Sequence, residues 1–341
     1  MFGAYRDAVR SLKARQEVKT EHDSLLQWAN TTTNKRRLDL ANSKDNAKAL
    51  LITIVGSLVG MIPYAWTTYL WFRVYHQSLL NTMSSVLAQV LVGLFLVMGS
   101  TRRALGKERP WMWWLGAIWL QAFAIGCLVG FFVYFRHLAY YWKYEEMRTY
   151  TNVAAAQDAS AFGDGSMFLF TTDTRLDVMR SVGYRSRWSG TTLCVAPLVD
   201  VTMNQGDSIQ YFAVGEDCCS ARAGFLCDDA GDSTTRTALR VLEPEEVARS
   251  FMSWAVRDSA YGKYMDAVRL QEATYATKST DQPTLVVWTK DPITLKNSYY
   301  STAKSIAIQV AVAYYVMLSV GIYQLAWQLI PKPNPEGVIR N

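Results

Sequence analysis

The sequence is short of histidine, of charge and of catalytic signatures. It has three histidines in 341 residues, and 19% of its residues are charged. His22, His76 and His137 lie far apart in the chain, so no metal centre or Ser-His-Asp arrangement can be read from short-range spacing. No Cys-x-x-Cys pair occurs, and Asp217, Asp228, Asp229 and Asp232 lack the spacing of a calcium-binding loop. GDGSM at 163–167 is not a nucleophile elbow, and SGTT at 189–192 is too short for a phosphate loop; both read as turns. The paired carboxylates Glu145/Glu146 and Glu245/Glu246 fit helix starts and solvated faces. The expectation is a non-enzyme with no catalytic residues, no cofactor and no metal.

The shortage of charge is concentrated in four places. Ala49–Phe72, Met83–Ser100, Trp111–Phe135 and Ser305–Ile330 contain no Asp, Glu, Lys, Arg or His. Each run approaches or exceeds the roughly 18–20 residues that a helix needs to cross a bilayer core. None carries the polar stripe of a soluble helix. The pattern predicts an α-helical membrane protein with transmembrane helices at 49–72, 83–100, 111–135 and 304–330. No short apolar core behind a basic start precedes the first run, which is expected to serve as the insertion signal. Spans without ionisable residues argue against proton pumps, ion-coupled transporters and voltage sensors. Gln89, Gln121, Gln309 and Gln324 remain for hydrogen bonds between helices. A pore of several copies, lined by hydroxyls and amides, is the alternative functional reading.

Charge outside the runs fixes an expected orientation. Residues 1–48 hold ten Lys or Arg, the loop TRRALGKERP four and the tail PKPNPEGVIRN two, against Arg73 alone between the first two runs. The positive-inside rule places both termini and the 101–110 loop in the cytoplasm and the segment 137–303 on the far side. The basic segment 1–48 suits anionic lipid headgroups, a partner, or a solvated helix that merely sets topology, and needs no nucleic acid to explain it. The plasma membrane or a secretory organelle is the favoured location. The tail 331–341 is expected to be cytoplasmic.

Four of the five cysteines, Cys194, Cys218, Cys219 and Cys227, fall in the exported segment, and Cys127 lies in the third run. An oxidising far side implies two disulfides. Excluding a strained bridge between the adjacent Cys218 and Cys219 leaves two possible connectivities, which spacing does not separate. Within the runs, Gly56/Gly60 and Gly126/Gly130 form GxxxG motifs suited to close helix packing, and Pro63 is a candidate kink. Trp66, Trp71, Trp111, Trp113, Trp114, Tyr140, Tyr141, Trp142 and Trp327 gather near the ends of the runs, as interfacial aromatics do.

The exported segment 137–303 carries 21 acidic and 16 Lys or Arg residues, a net charge of −5 (16 minus 21), and is long enough for a domain. Strands are expected at 167–170, 192–201, 208–214 and 284–288. A helix is expected from Pro244, with Val247, Phe251, Trp254, Tyr261, Met265 and Val268 as its buried stripe. The result is an α+β domain pinned by disulfides between the third and fourth helices.

The layout of three closely ordered spans, a short first outer loop, a long second outer loop with a Cys-Cys pair and a final span is similar to that of tetraspanins. It departs from them in detail, because Cys219 is followed by Ser220, the pair comes late, and the loop reads as mixed α and β. The string FAVGEDCCSARAGFLC, part of the outer domain only, resembles a segment of uncharacterised multi-span membrane proteins of dinoflagellate algae; that likeness implies no activity.

The functional expectation is an integral membrane scaffold or accessory subunit, a homo-oligomer or part of a membrane complex. Its partner-facing surface is expected around Glu216, Asp217, Arg222, Asp228 and Asp229, since a loop held by disulfides binds at low ordering cost.

Overall fold

The computed structural model describes residues 46–101, 110–185, 190–204, 206–222, 224–247 and 261–329. Nearly all of the basic N-terminal segment, most of the 101–110 loop, Phe251, Trp254 and the C-terminal tail lie outside the described residues, as do the side chains of Trp111 and Trp327.

Four helices are long and apolar enough to cross a membrane: Asn46–Gln77, Leu79–Gly99, Met112–Glu146 and Pro292–Ala326. We label them α1, α2, α3 and α6. Helix α2 spans Leu79–Thr101 in full. Helix α3 runs from Pro110 to Val133, through a π turn at Tyr134–Leu138 and on through Ala139–Glu146. Helix α6 spans Pro292–Leu329. Two short helices, α4 (Pro244–Val247) and α5 (Tyr261–Tyr275), lie within the sheet domain.

All four helices are longer than hydropathy leads one to expect, α1, α3 and α6 by the most. The apolar criterion stops at the first charged residue, whereas backbone hydrogen bonding continues beyond it. At the start of α6, Thr294 donates its N–H to Asp291 Oδ1 at 3.0 Å and its hydroxyl to Oδ2 at 2.5 Å, so a cap begins the helix at Pro292 rather than at 304. Helix α1 stays helical through Pro63 and contains a π turn at Leu70–Val74.

The chain divides into two compact units, Met1–Ile62 with Val312–Asn341, and Pro63–Ala311. In the first unit, Gly56 faces Ile322, where an added Cβ would lie 3.2 Å from its Cδ1, and Ser319 donates to Ser57 Oγ at 2.9 Å. Gly60 is buried.

In the second unit α1 and α3 pack through glycine. A Cβ on Gly126 would sit 3.0 Å from Thr67 Cβ and 3.2 Å from the Tyr64 carbonyl, and one on Gly130 would enter the Trp71 ring. The two GxxxG motifs thus serve different neighbours. A third close approach, with no GxxxG signature, joins α2 to α3: Gly93 faces Leu120 and Gly116 faces Val97. Of the four glutamines, Gln89 is buried and bonds Thr67, while Gln121, Gln309 and Gln324 lie on exposed faces. The two π turns pack together, with Tyr75 and Tyr134 rings 4.6 Å apart and Trp71 and Phe131 rings 5.9 Å apart.

The segment between α3 and α6 folds as an eight-stranded mixed sheet, ordered β1-β2-β7-β8-β6-β5-β3, with β4 also paired to β5. The strands are β1 Arg148–Val153, β2 Gly165–Phe170, β3 Thr174–Leu176, β4 Val182–Arg185, β5 Thr192–Asp200, β6 Ile209–Glu216, β7 Thr237–Arg240 and β8 Ser279–Trp288. The pairs β1/β2 and β6/β8 are parallel and the rest antiparallel. Strand β5, next to the sheet edge formed by β3 and β4, is apolar on both sides because both its faces are covered. Cys194, Ala196 and Leu198 join Phe168, Tyr211, Phe225 and Trp288 on one face. Leu193 and Val195 join Phe212, Val214 and Leu285 beneath α5 on the other.

The expected stripe from Val247 to Val268 is not one face. Val247 packs with the aromatic cluster at the outer ends of the long helices. The buried face of α5 is Tyr264, Ala267, Val268 and Gln271, with Tyr261 and Met265 only partly covered. Gln271 is accepted in that core because its amide donates to the Arg180 carbonyl and its oxygen accepts from Thr277.

Replacing Gly126 or Gly130 by Leu forces α1 and α3 apart, at an expected cost of about 1–3 kcal/mol in overpacking. Thermal unfolding in detergent measures it; an unchanged midpoint in both variants would show that this face carries no packing.

Candidate functional site

The site begins with the disulfides. Cys194 bridges Cys219, and Cys218 bridges Cys227, with Cα separations of 5.8 and 5.0 Å. The adjacent cysteines therefore send their side chains to different partners, one into strand β5 and one across the loop. The knot needs bare backbone around it. A Cβ on Gly215 would strike the Cys227 and Cys218 sulfurs, and one on Gly183 would lie 2.6 Å from the Ser220 carbonyl and 3.0 Å from Cys219 Sγ. The sulfurs of Cys194, Cys218 and Cys227 lie within 4.8 Å of one another, but as bridges they are not the thiolates that a metal requires.

The five side chains expected to form one surface divide into three groups. Asp217 and Asp229 work inside the fold. Asp217, at φ 54°, accepts from the Thr192 N–H at 2.7 Å and returns its own N–H to the Thr192 carbonyl at 2.7 Å. Asp229 Oδ2 accepts from the Lys290 N–H at 2.7 Å and the Thr289 hydroxyl at 3.1 Å. Arg222 is exposed, and its backbone forms a bridge to Val182. Glu216 and Asp228 form the third group. Neither carboxylate makes a hydrogen bond or ion pair with another described residue, and both line a cleft of about 440 Å³.

The cleft lies where one sheet face passes between α5 and the outer ends of α3 and α6. Its floor includes Leu193, Val214, Leu239 and Val287, from four different strands. Tyr264 and Lys263 of α5 form one wall, and Tyr140, Tyr144 and Tyr299 the other. The tyrosine wall is fixed: the Tyr144 hydroxyl donates to the Arg240 carbonyl at 2.8 Å, and the Tyr140 and Tyr299 rings stack at 5.6 Å. The volume falls within the range of small-ligand sites, roughly 300–1,000 Å³.

Electrostatics single out the rim. Crowding by surrounding atoms, with repulsion from Asp229, holds the Asp228 carboxyl above the usual carboxylate range. Burial, then the negative charge of Glu216 and Asp228, pushes the Tyr264 phenol up. Across the loop the sign reverses. Hydrogen bonds from Thr234, then Lys290 at 3.0 Å, hold Asp232 well below the usual range, marking it as a structural carboxylate.

Sequence reasoning reached Glu216 and Asp228 through the cysteine loop. It missed Tyr264 and Lys263 as cleft residues, and read Tyr140 only as an interfacial aromatic. The walls come from three elements far apart in the chain, so no spacing motif joins them.

Two measurements follow from this geometry. A membrane-impermeant thiol reagent labels none of Cys194, Cys218, Cys219 or Cys227 until reductant is added, and replacing Cys218 and Cys227 together by Ser costs about 2–3 kcal/mol. Labelling of either adjacent cysteine in untreated protein removes the bridge assignment. For Asp228 the raised pKa means that its contribution to stability is present below the unfolded pKa and lost as pH rises through the folded one. Asp228→Asn is therefore expected to gain stability relative to the native chain between mildly acidic and neutral pH; parallel denaturation curves across that window would contradict it.

No protein-family model, no curated protein and no solved structure matches the chain, so its function rests on the geometry of this cleft and of the four apolar helices.

Proposed function

We propose that the chain is an integral membrane protein that holds a partner protein through its sheet domain, with both termini cytoplasmic and the domain on the far side. The membrane part is supported by four helices of sufficient length and apolarity, and the orientation by sixteen basic residues against one across the flanking segments. Two disulfides in the domain agree with an oxidising compartment.

The single observation that carries the binding role is the pair of carboxylates, Glu216 and Asp228, without a partner among the described residues, at the mouth of a tyrosine-walled apolar cleft. A Lys or Arg side chain of a partner fits this chemistry. Its aliphatic stem lies against Leu239 and the rings, and its cationic head meets the two carboxylates and the faces of the tyrosines. Lys263 on the same wall limits how many cations the cleft takes. A rigid cleft loses little entropy on binding, which favours a lasting complex over a transient encounter.

The test uses a photo-crosslinking amino acid at Arg222, on the exposed disulfide-pinned loop that also carries Asp228. The native chain should yield a discrete adduct, and Glu216→Lys with Asp228→Lys should abolish it while the domain still unfolds in a single cooperative transition. Reversing Asp217 or Asp229 instead should lower the unfolding midpoint, because those carboxylates hold turns. Adducts that persist through the Glu216 and Asp228 reversals would overturn the reading. An altered permeation through reconstituted bilayers in the same variants, with association intact, would favour the pore instead.

A further inference from the structure

A second cavity, of about 410 Å³, lies between α1 and α6 within the larger unit. Its floor is set by two contacts between these antiparallel helices: the Tyr64 hydroxyl donates to the Ala307 carbonyl at 3.0 Å, and the Phe72 and Tyr300 rings meet edge to face at 6.1 Å. From Arg73 to Tyr64 the groove follows nine residues of α1, about 14 Å at the helical rise of about 1.5 Å per residue. That depth is close to one leaflet of a hydrocarbon core about 30 Å thick.

The lining is apolar along this length, with Ile308 and Ala311 at the deeper part. Two cations line the groove, Arg73 next to Phe72 at one end and Lys304 three residues before Ala307 on α6, and no carboxylate lines it among the described residues. Arg73 lies 5.7 Å from the centroid of the Trp142 ring, a contact that orients the guanidinium without neutralising it. Lys304 is exposed on the outer surface of α6, immediately before the uncharged run 305–330. A cation at that depth is costly in hydrocarbon unless its long stem carries it to an anion at the interface.

We infer that the groove binds an anionic glycerophospholipid of the far-side leaflet, its phosphodiester held between Arg73 and Lys304 and one acyl chain lying along Ile308 and Ala311. Two cations without a carboxylate complement an anionic headgroup better than a zwitterionic one, whose ammonium would meet like charge. The inference rests on the membrane reading above, and is independent of the partner cleft.

The experiment is mass spectrometry of detergent-released protein after reconstitution in phosphatidylglycerol or phosphatidylcholine, alongside alkaline carbonate extraction of native membranes. Phosphatidylglycerol should stay bound to the native chain through stepwise delipidation, and its retention should fall by roughly tenfold or more in Arg73→Gln with Lys304→Gln. Ala311→Trp, which fills the groove and leaves both cations, should reduce retention as well. Equal retention of the two lipids, or retention unchanged in the charge variant, overturns the lipid site. So does a homodimer crosslinked through Ile308→Cys with no lipid bound, which would show a second copy in the groove. Release of the protein by carbonate would instead overturn the membrane reading itself.

Discussion

The joint between the long helices and the sheet is the constraint on which the rest of the larger unit depends. The outer ends of α3 and α6 do not simply stop; they continue as a stalk whose side chains cover part of one sheet face. Leu138, Tyr140 and Tyr144 from α3 and Ala303 from α6 pack with Met167 of β2, Leu239 of β7 and Leu242 just beyond it. The Tyr144 hydroxyl satisfies the Arg240 carbonyl, and Lys296 of α6 meets Glu145 of α3 at 2.7 Å. A mixed sheet with apolar residues on both sides needs cover on both. On this face α5 covers one part and the stalk another, and the cleft is the interval between the two covers.

Hydropathy made the helices legible, since crossing a bilayer and being uncharged for twenty residues are nearly the same statement. It was blind to their continuation, because a helix that runs on from an apolar stretch into a stalk follows capping and tertiary contact. The strands followed the same logic. Strands β2, β5 and β6 and the second half of β8, from Thr284, are apolar runs rich in aromatic or β-branched residues and could be read directly, whereas the first half of β8 carries Asp281, Gln282 and Pro283 and could not. Strand β1, RTYTNV, is mostly exposed and gains its place by pairing with β2, a long-range contact that composition does not record. The short strands β3, β4 and β7 lie below the length at which alternation is visible. Glycine gave a mixed result. Gly126 and Gly130 announced themselves by spacing, whereas Gly93 and Gly116, which bring α2 and α3 together, have no motif.

The candidate site shows why an acidic loop cannot be read as a single surface. Phe225, six positions after Cys219 and three before Asp228, is buried in the sheet core, so the chain dips inward there. Where it turns, Asp217 and Asp229 are consumed by backbone N–H groups that would otherwise lack partners. Glu216 and Asp228 differ only in direction: they face the cleft. Both pairs are carboxylates with the same separation along the chain, and only the fold separates structural from available charge.

Two adjacent residues of α6 connect the two cavities. Tyr299 lines the cleft and Tyr300 lines the groove, about 100° apart around the same turn. Tyr299 stacks on Tyr140 while Tyr300 meets Phe72 and, at 5.2 Å, Tyr141. A ligand in either cavity therefore touches the same turn of α6. Whatever coupling free energy that turn transmits is reciprocal: a partner in the cleft changes affinity in the groove by the factor with which the groove's occupant changes affinity in the cleft. The proposed headgroup site and the proposed partner site are thus linked by chain geometry, one peptide unit apart.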